Sequence, residues 1–340
     1  MRGGNKKLIT WGVLVCAAVL TLCLPFLVSG FWVRQFTEIF MYAILASALN
    51  IIAGYTGYAA FGNMVFFGMG AYTVAILMTK ANFPFAAAFV CAGIISVIAA
   101  IILGFLLLRL KGQYFALGTT GAMLAVRQVV DIWSDLTGGT QGISIPRLPG
   151  TPYFANAFFY FFMLALLLVT VAFVSRLHTN RLGYAFKAIR ANEEAAGVMG
   201  INTTKYKIIA WSLSAFFTGL TGAVYAYWFS YIESKTVFDI LWVTNMFVMI
   251  IVGGMGTVMG PVVGAFLLQT VSRYFWSRYM TLHLGILGAI IIFAVLCIPN
   301  GILRVRWRGI AGVWADRLRA VKARAGSRSA GRAGENGEGL

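Results

Sequence analysis

The chain has 340 residues, of which 60% are hydrophobic and 11% carry a charge, against about 25% charged residues in a typical soluble domain. Its mean hydropathy of +0.84 excludes an ordinary soluble globular protein and predicts an all-α, polytopic membrane protein. The formal net charge of +17 does not indicate nucleic-acid binding. The Lys and Arg residues cluster at the ends of apolar runs and in the C-terminal tail, which is where cytoplasmic loops of membrane proteins carry them.

Ten apolar stretches are each near the roughly 20 residues that a helix needs to cross a bilayer. They are residues 8–29, 34–53, 61–80, 85–108, 113–133, 153–175, 205–229, 239–254, 259–276 and 281–298. The second stretch contains Arg34 and Glu38, and only a glycine-rich break separates the eighth stretch from the ninth. We therefore expect about eight to ten transmembrane helices.

The two ends of the chain differ in character. The start, MRGGNKK, precedes an apolar run from Leu8 to Val28, which is longer than the roughly 7 to 15 residues of a signal-peptide core and predicts a first membrane span. Residues 1–300 are predicted to form the transmembrane domain, with both termini cytoplasmic because the basic residues then face inward. Residues 301–340 read as a basic cytoplasmic tail, largely disordered and held near anionic membrane lipid by its charge.

Two glycine clusters interrupt apolar runs where an unbroken helix is otherwise expected. Inside a membrane, unwound backbone survives only when it is buried in protein or lines a wet cavity, so these clusters are candidates for a solute pathway. The candidate pathway residues are Asn50, Gly54, Tyr55, Thr56 and Gly57 in the first cluster and Gly253, Gly254 and Gly256 in the second. Close helix packing remains an equal alternative for the second cluster, because Gly256, Gly260 and Gly264 repeat every four residues.

A third glycine-rich segment lies at the expected outer end of a span. Thr137, Gly138 and Gly139 follow Asp131 and Asp135. Their hydroxyl and backbone groups are candidates to cap the pathway on the side where a solute arrives, and an ordinary outer loop is the alternative.

Motifs for catalysis and cofactor binding are missing from the sequence. There is no GxxxxGK[ST] nucleotide loop, His178 and His283 lie in different loops, and no CxxC pair is present, so we expect no catalytic residues, no metal and no cofactor. The alternatives are a passive channel and a membrane-embedded enzyme that uses Asp131 and Asp135. Their spacing of four residues would place both carboxylates on one helical face, able to hold a hard cation such as Mg²⁺.

A polar segment at residues 183–204 interrupts the otherwise lipid-soluble chain. Its charged side chains would each cost several kcal/mol in hydrocarbon, so we expect the segment, within a loop at residues 176–207, to lie in water and to face a soluble partner. The candidate partner-coupling residues are Gly183, Lys187, Arg190, Glu193, Glu194, Ala195, Ala196 and Gly200. The small Ala195 and Ala196 permit close approach, the two glutamates supply charge, and Gly200 permits the turn out of a helix.

The sequence from Glu194 to Gly200 is similar to the EAA-xxx-G signature of the permease subunits of ABC importers. Five blocks occur in the order found in the LivM-type permeases of branched-chain amino acid ABC importers: NIIAGYTGYAAFGNMVFFGMGAY, LKGQYFAL, LTGGTQGIS, GYAFKAIRANEEAAGVMGINTTKYK and VGGMGTVMGPVVGA. They resemble that family over roughly residues 38–300.

This resemblance implies a multi-pass subunit of the bacterial plasma (inner) membrane that is not itself an enzyme. It also implies three kinds of partner: a second permease of LivH type, two cytoplasmic ATPase subunits and an extracytoplasmic solute-binding protein. Branched-chain amino acids are the expected solute, and urea, short amides or aromatic acids are the alternatives. The polar segment would then be the coupling helix on which the ATPases act.

Overall fold

The computed structural model describes residues 29–278 together with Pro25 and Gly288. The predicted stretches 8–29 and 281–298 fall almost wholly outside these residues, and the predicted tail, 301–340, falls outside them entirely. The described part is mainly helical, and its two short strands, far apart in sequence, form one antiparallel pair, which confirms the predicted all-α membrane fold.

The elements follow one another in an up-and-down order. The helices are α1 Gly30–Thr56, α2 Met64–Thr79, α3 Phe85–Leu107, α4 Gln113–Ile132, α5 Ser134–Thr137, α6 Pro152–Thr179, α7 Arg181–Ala191, α8 Glu193–Val198, α9 Thr203–Phe229, α10 Ser234–Val237, α11 Ile240–Gly253 and α12 Gly260–Arg278. Short 3₁₀ turns cover Phe61–Asn63 and Gly139–Gln141. The strands β1, Ile143–Ser144, and β2, Tyr231–Ile232, pair antiparallel, with Ile143 opposite Ile232.

Six segments of the described chain are long and apolar enough to cross a bilayer. They are Gly30–Thr56, Phe61–Thr79, Phe85–Leu107, Pro152–Thr179, Thr203–Phe229 and Ser234–Gly253. Helices α4 and α12 occupy two more of the predicted stretches, and they carry charged residues such as Arg127 and Arg273. Every predicted stretch between residues 34 and 276 therefore coincides with a helix.

Two opposite ends of the bundle follow from the long helices. Helix α9 alone contains 27 residues and so extends about 40 Å. It begins beside α8 and ends at β2, and α6 runs the other way, from the segment after β1 to α7. We name these the α7–α8 end and the β1–β2 end.

Close helix packing at the centre depends on glycine. Helix α9 packs against α2, α3 and α1. A Cβ atom at Gly70 of α2 would overlap the carbonyl of Gly219 in α9, and one at Gly222 of α9 would overlap the carbonyl of Phe67 in α2. Without side chains at these positions the two backbones touch directly, which is the usual way membrane helices gain packing energy.

The outer surface of α3 is apolar and exposed. Large side chains recur every three or four residues along one face and are at least half exposed, namely Ile94, Ile98, Ile102, Phe105 and Leu106. In a soluble protein such a continuous patch is a liability, whereas in a bilayer it is the surface that contacts lipid.

Candidate coupling site and solute pathway

The polar segment folds into two short helices, each started by an asparagine. The Asn180 side chain accepts a hydrogen bond from the backbone nitrogen of Arg181 at 2.7 Å, and that of Asn192 accepts one from Ala195 at 3.0 Å. Such N-caps satisfy amide groups that have no partner within the helix. After α8 the chain turns at Gly200, whose φ of +87° lies in the left-handed region that glycine adopts without strain.

Glu193, at the first position of α8, belongs to a buried cluster. Its Oε1 lies 2.7 Å from Lys207 Nζ of α9, and the Tyr58 hydroxyl donates a hydrogen bond to its Oε2. Lys207 Nζ also donates to the Leu108 carbonyl at 3.2 Å and lies 3.1 Å from the Tyr58 hydroxyl oxygen. We call these four residues the Glu193 cluster. It ties α8 to the ends of α1, α3 and α9.

The electrostatics of the Glu193 cluster favour its charged form. Burial alone would raise the pKa of Glu193, but the hydrogen bonds from Lys207 and Tyr58, together with the charges of Lys207 and Lys111, lower it below its usual value. Burial and the Glu193 carboxylate raise the pKa of the Tyr58 phenol. Glu193 is therefore ionised and Tyr58 protonated at neutral pH.

The other side of α8 is exposed to solvent. The side chain of Glu194 is 85% exposed, and Val198 and Met199 are 89% and 84% exposed. Among the described residues Glu194 pairs with Lys111, at 3.5 Å, and an ion pair between two exposed groups contributes little. Ala195 and Gly197 are also exposed, whereas Ala196 is buried against the bundle. We call Glu194, Val198 and Met199 the α8 patch.

Lys187 of α7 lies against the end of α6. Its Nζ donates to the His178 carbonyl at 3.0 Å and lies 5.3 Å from the centre of the Tyr184 ring. His178 Nδ1 lies 3.0 Å from the Tyr55 hydroxyl oxygen of α1. Burial lowers the pKa of Lys187. At the corner between α6 and α7, a Cβ on Gly183 would overlap the Leu177 carbonyl, so only glycine fits.

Arg190 connects the coupling segment to both glycine clusters. Its guanidinium donates to the Gly54 carbonyl in the last turn of α1. A Cβ on Gly256 would lie 2.6 Å from this guanidinium and 2.9 Å from the Gly54 carbonyl oxygen, and the φ of +77° at Gly256 also favours glycine. The candidate coupling residues and the candidate pathway residues, predicted separately, thus meet at Arg190.

The two glycine clusters contact each other through Asn50. Its Nδ2 donates to the Thr257 carbonyl at 2.8 Å, and its Oδ1 accepts from the Gly256 nitrogen at 2.9 Å. We call residues 254–259, which separate α11 from α12, the second glycine break. Gly254 and Gly256 have φ values of +123° and +77° there. One asparagine therefore satisfies backbone groups that the break leaves without helical partners.

Packing explains part of the second cluster. A Cβ on Gly253 would overlap the Gly260 carbonyl, and one on Gly264 would overlap the Met249 carbonyl, so α11 and α12 touch through glycine. Gly256 lies before the start of α12, so the expectation that it shares a helical face with Gly260 and Gly264 is wrong. Close packing therefore accounts for Gly253, Gly260 and Gly264, and the role of this cluster in a solute pathway stays a prediction.

Hydroxyl groups in the first and third clusters are satisfied inside the protein. The Thr56 hydroxyl donates to the Ile52 carbonyl at 2.6 Å, and Gly57, with φ of +82°, ends α1. At the β1–β2 end the Thr137 hydroxyl lies 2.6 Å from the Val130 carbonyl oxygen and accepts from the Gly139 nitrogen at 3.2 Å. A Cβ on Gly138, where φ is +71°, would overlap the Gly142 carbonyl. The third cluster is thus a folded corner next to β1.

The two aspartates do not form the expected pair. Helix α4 ends at Ile132 and Asp135 belongs to α5, so the prediction that both carboxylates share one helical face is wrong. Asp131 instead accepts from the Ser234 hydroxyl and lies 3.7 Å from Arg127. Within the described residues no group of three or more His, Cys, Asp or Glu side chains is placed to hold a metal ion.

Sequence reasoning missed the partners of two acids. Lys207 lies at the end of the predicted loop at residues 176–207 and Tyr58 lies in the first resemblance block, and neither was assigned a role. Glu38 lies in the second predicted stretch without an assigned partner, whereas the structure pairs it with Arg273 of α12. Charges within predicted spans indicated that partners exist, because such charges rarely remain unpaired in a bilayer, but the sequence does not show which acid meets which base.

The lipid-facing surface and the six apolar helices define the class: a multi-pass, all-α membrane protein. The profile of the family described as "Branched-chain amino acid transport system / permease component" matches residues 32–295. The chain therefore belongs to this family of transport permeases, which confirms the resemblance drawn from the sequence.

Individual relatives agree with the family match. The chain is 30% identical over 316 residues to the high-affinity branched-chain amino acid transport system permease protein LivM of Salmonella typhimurium, covering 85% of this chain and 74% of that protein. The LivM protein of Escherichia coli gives the same figures. A probable branched-chain amino acid transport permease protein LivH of Methanocaldococcus jannaschii is 24% identical over 187 residues, covering 52% and 58% of the two chains. No solved structure matches the chain.

Proposed function

We propose that this chain is a membrane-spanning subunit of an ABC importer in the bacterial inner membrane, and that ATPases on separate chains drive it. The solute is a small polar molecule, and branched-chain amino acids are the class that the names of the LivM relatives support. The observation that carries the proposal is α8, a short helix held firmly on one side and bare on the other.

The α8 patch has the properties of a docking surface for an ATPase groove. Val198 and Met199 are large apolar side chains almost fully exposed to water. Burying each against a partner would contribute on the order of 1.5 to 3 kcal/mol. Glu194 adds one negative charge for pairing, and the neighbouring Ala195 allows close approach. Glu193, whose carboxylate already binds Lys207 and Tyr58, holds α8 against the bundle instead of reaching the partner.

Movement of α8 has a continuous path to the glycine breaks. The Glu193 cluster links α8 to the ends of α1, α3 and α9, and Arg190 links α7 to Gly54. Asn50 then connects α1 to the second glycine break. Breaks of this kind absorb backbone rotation, so a pull on α8 would change the angle between α11 and α12. The pathway would then open in turn to one side of the membrane and to the other.

The remaining parts of the importer would be supplied by other chains. Similarity to both LivM and LivH relatives supports a second, related permease of LivH type as the partner in the membrane. Two ATPase subunits would bind at the α7–α8 end, which is then cytoplasmic. An extracytoplasmic solute-binding protein would deliver the solute at the β1–β2 end. The chain itself would have no catalytic role.

Substitutions in the α8 patch test this proposal. Met199→Asp and Glu194→Lys should leave membrane insertion intact and abolish uptake of labelled L-leucine by the reconstituted importer, because neither side chain supports the fold. Thr204→Asp is the matched control: it places a carboxylate on an exposed position of the same end, in the first turn of α9, where negative charge is tolerated. Wild-type uptake by both patch variants would refute the docking role.

A further inference from the structure

An open pocket of about 270 Å³ lies at the β1–β2 end between α1, α9 and α12. Arg34, Gln35 and Glu38 of α1 line one wall, because a spacing of three to four residues places them on one helical face. Trp228 and Phe229 of α9 line another, and Arg273 of α12 closes the third. The volume is slightly below the roughly 300 Å³ at which pockets for drug-sized ligands begin, so the pocket suits a smaller solute.

The pocket holds charges of both signs. The Arg273 guanidinium donates to the Glu38 carboxylate, and each side chain is 31% exposed, so the ion pair reaches the pocket surface. Arg34 is one helical turn from Glu38 and makes no ion pair with any described residue. The pocket therefore contains one acid and two bases. Arg34 and Glu38 lie within α1, one of the helices able to cross a bilayer, and ionisable groups within such helices generally mark a solute or ion path.

We propose that this pocket binds the zwitterionic head group of an α-amino acid during its passage through the permease. Arg34 and Arg273 bind the carboxylate, Glu38 binds the ammonium group, and Trp228 and Phe229 contact the apolar side chain. This inference rests on the proposed transport function and names the solute class that the permease itself recognises. Urea and short amides carry neither charge, so they would form hydrogen bonds but no ion pairs with the three ionic side chains.

Exchange of ion pairs makes such binding reversible. A zwitterion that enters the pocket replaces the Glu38–Arg273 contact by two new contacts, one to each of its own charges, and leaves the net charge unchanged. Glu38 and Arg273 are already partly desolvated in the folded protein, each being 31% exposed, so binding does not incur that part of the cost again.

A larger neighbouring pocket provides an approach. It has a volume of about 430 Å³ and shares Arg34, Trp228 and Phe229 with the first pocket. It adds Arg147, which likewise makes no ion pair with any described residue. A path lined by arginines raises the local concentration of carboxylate-bearing solutes.

The test compares variants of the complete importer in nanodiscs and proteoliposomes. Glu38→Gln removes the ammonium contact. The double variant Glu38→Arg with Arg273→Glu keeps an ion pair between α1 and α12 but reverses its direction. Arg127→Gln is the matched control, because it breaks the Arg127–Asp131 pair at the same end of the bundle but outside the pocket. The readouts are L-leucine uptake, ATP hydrolysis stimulated by the binding protein, and ligand-detected NMR of L-leucine without the binding protein.

We expect L-leucine uptake to fall at least tenfold in Glu38→Gln and in the reversed pair, while stimulated ATP hydrolysis stays near the wild-type rate. The NMR signal should be strong for L-leucine with the wild-type and Arg127→Gln importers. It should be weak for 4-methylpentanoate, which lacks the ammonium group, and for 3-methylbutylamine, which lacks the carboxylate.

Two results would contradict the proposal that this pocket binds the solute. Wild-type uptake by the reversed pair would show that the ion pair only joins two helices. Loss of stimulated ATP hydrolysis together with uptake in both variants would show the same structural role. If the wild-type importer itself shows neither L-leucine uptake nor stimulated hydrolysis, the proposed transport function fails instead.

Discussion

Replacing Lys207 by Met should detach α8 from the bundle. The substitution removes the 2.7 Å contact to Glu193 and the hydrogen bond to the Leu108 carbonyl. The Lys207 side chain is 4% exposed and that of Glu193 is 22% exposed, so the carboxylate is left largely buried without its cation.

The size of the effect follows from that burial. Removing one partner of a buried pair typically costs about 3 to 5 kcal/mol, and the lower end applies because water still reaches Glu193. A loss of about 3 kcal/mol increases the population of detached α8 by about a hundredfold. The double variant Glu193→Gln with Lys207→Met should lose less than the sum of the single variants, because no uncompensated charge remains.

Hydrogen exchange measured by mass spectrometry on the intact importer checks this prediction. Peptides covering residues 193–200 should lose protection in Lys207→Met, since exchange reports local opening. Lys205→Met is the matched control, because Lys205 is exposed two positions earlier in α9 and should leave exchange unchanged. Unaltered protection of α8 in Lys207→Met, or strictly additive effects in the double variant, would refute the reasoning.

Three further predictions concern the glycine breaks and pH. Asn50→Ala removes the hydrogen bonds exchanged with the second glycine break and should cost about 2 kcal/mol, seen as a lower thermal denaturation temperature and slower uptake. Gly264→Val should prevent folding because its side chain would overlap the Met249 carbonyl, whereas Gly121→Ala, with no atom nearby, should express normally. The lowered pKa of Glu193 means that its ion pair stabilises the fold above the unfolded value of 4.5 and is lost as the pH falls further, so α8 protection should be constant between pH 6 and 8.

Hydrophobicity and glycine content made much of the fold predictable. The predicted stretch 85–108 matches α3, Phe85–Leu107, and the stretch 239–254 matches α11, Ile240–Gly253. Each of these helices satisfies its own backbone groups, so local sequence is sufficient to place it. The sequence analysis predicted one coupling helix in the polar segment, whereas the structure has two, α7 and α8, and the typical N-cap residues Asn180 and Asn192 were the signal that it missed.

Contacts between distant parts of the chain were beyond sequence reasoning. The Glu38–Arg273 pair joins residues 235 positions apart, and Asn50 contacts the second glycine break more than 200 positions away. No periodic pattern encodes such pairs, since they depend on how helices pack around one another. The same limit applies to Glu193, whose sequence context indicates an exposed acid although Lys207 binds it from α9.

Cross-linking at Met199 tests the central claim most directly. In a background without the native cysteines, Met199→Cys should form a specific cross-link to an ATPase subunit through a short bifunctional reagent, and ATP should change its yield. Tyr153→Cys, exposed at the β1–β2 end, should give no cross-link to an ATPase subunit. Labelling of Met199→Cys by a membrane-impermeant maleimide added outside intact cells, with no cross-link to an ATPase, would contradict the account.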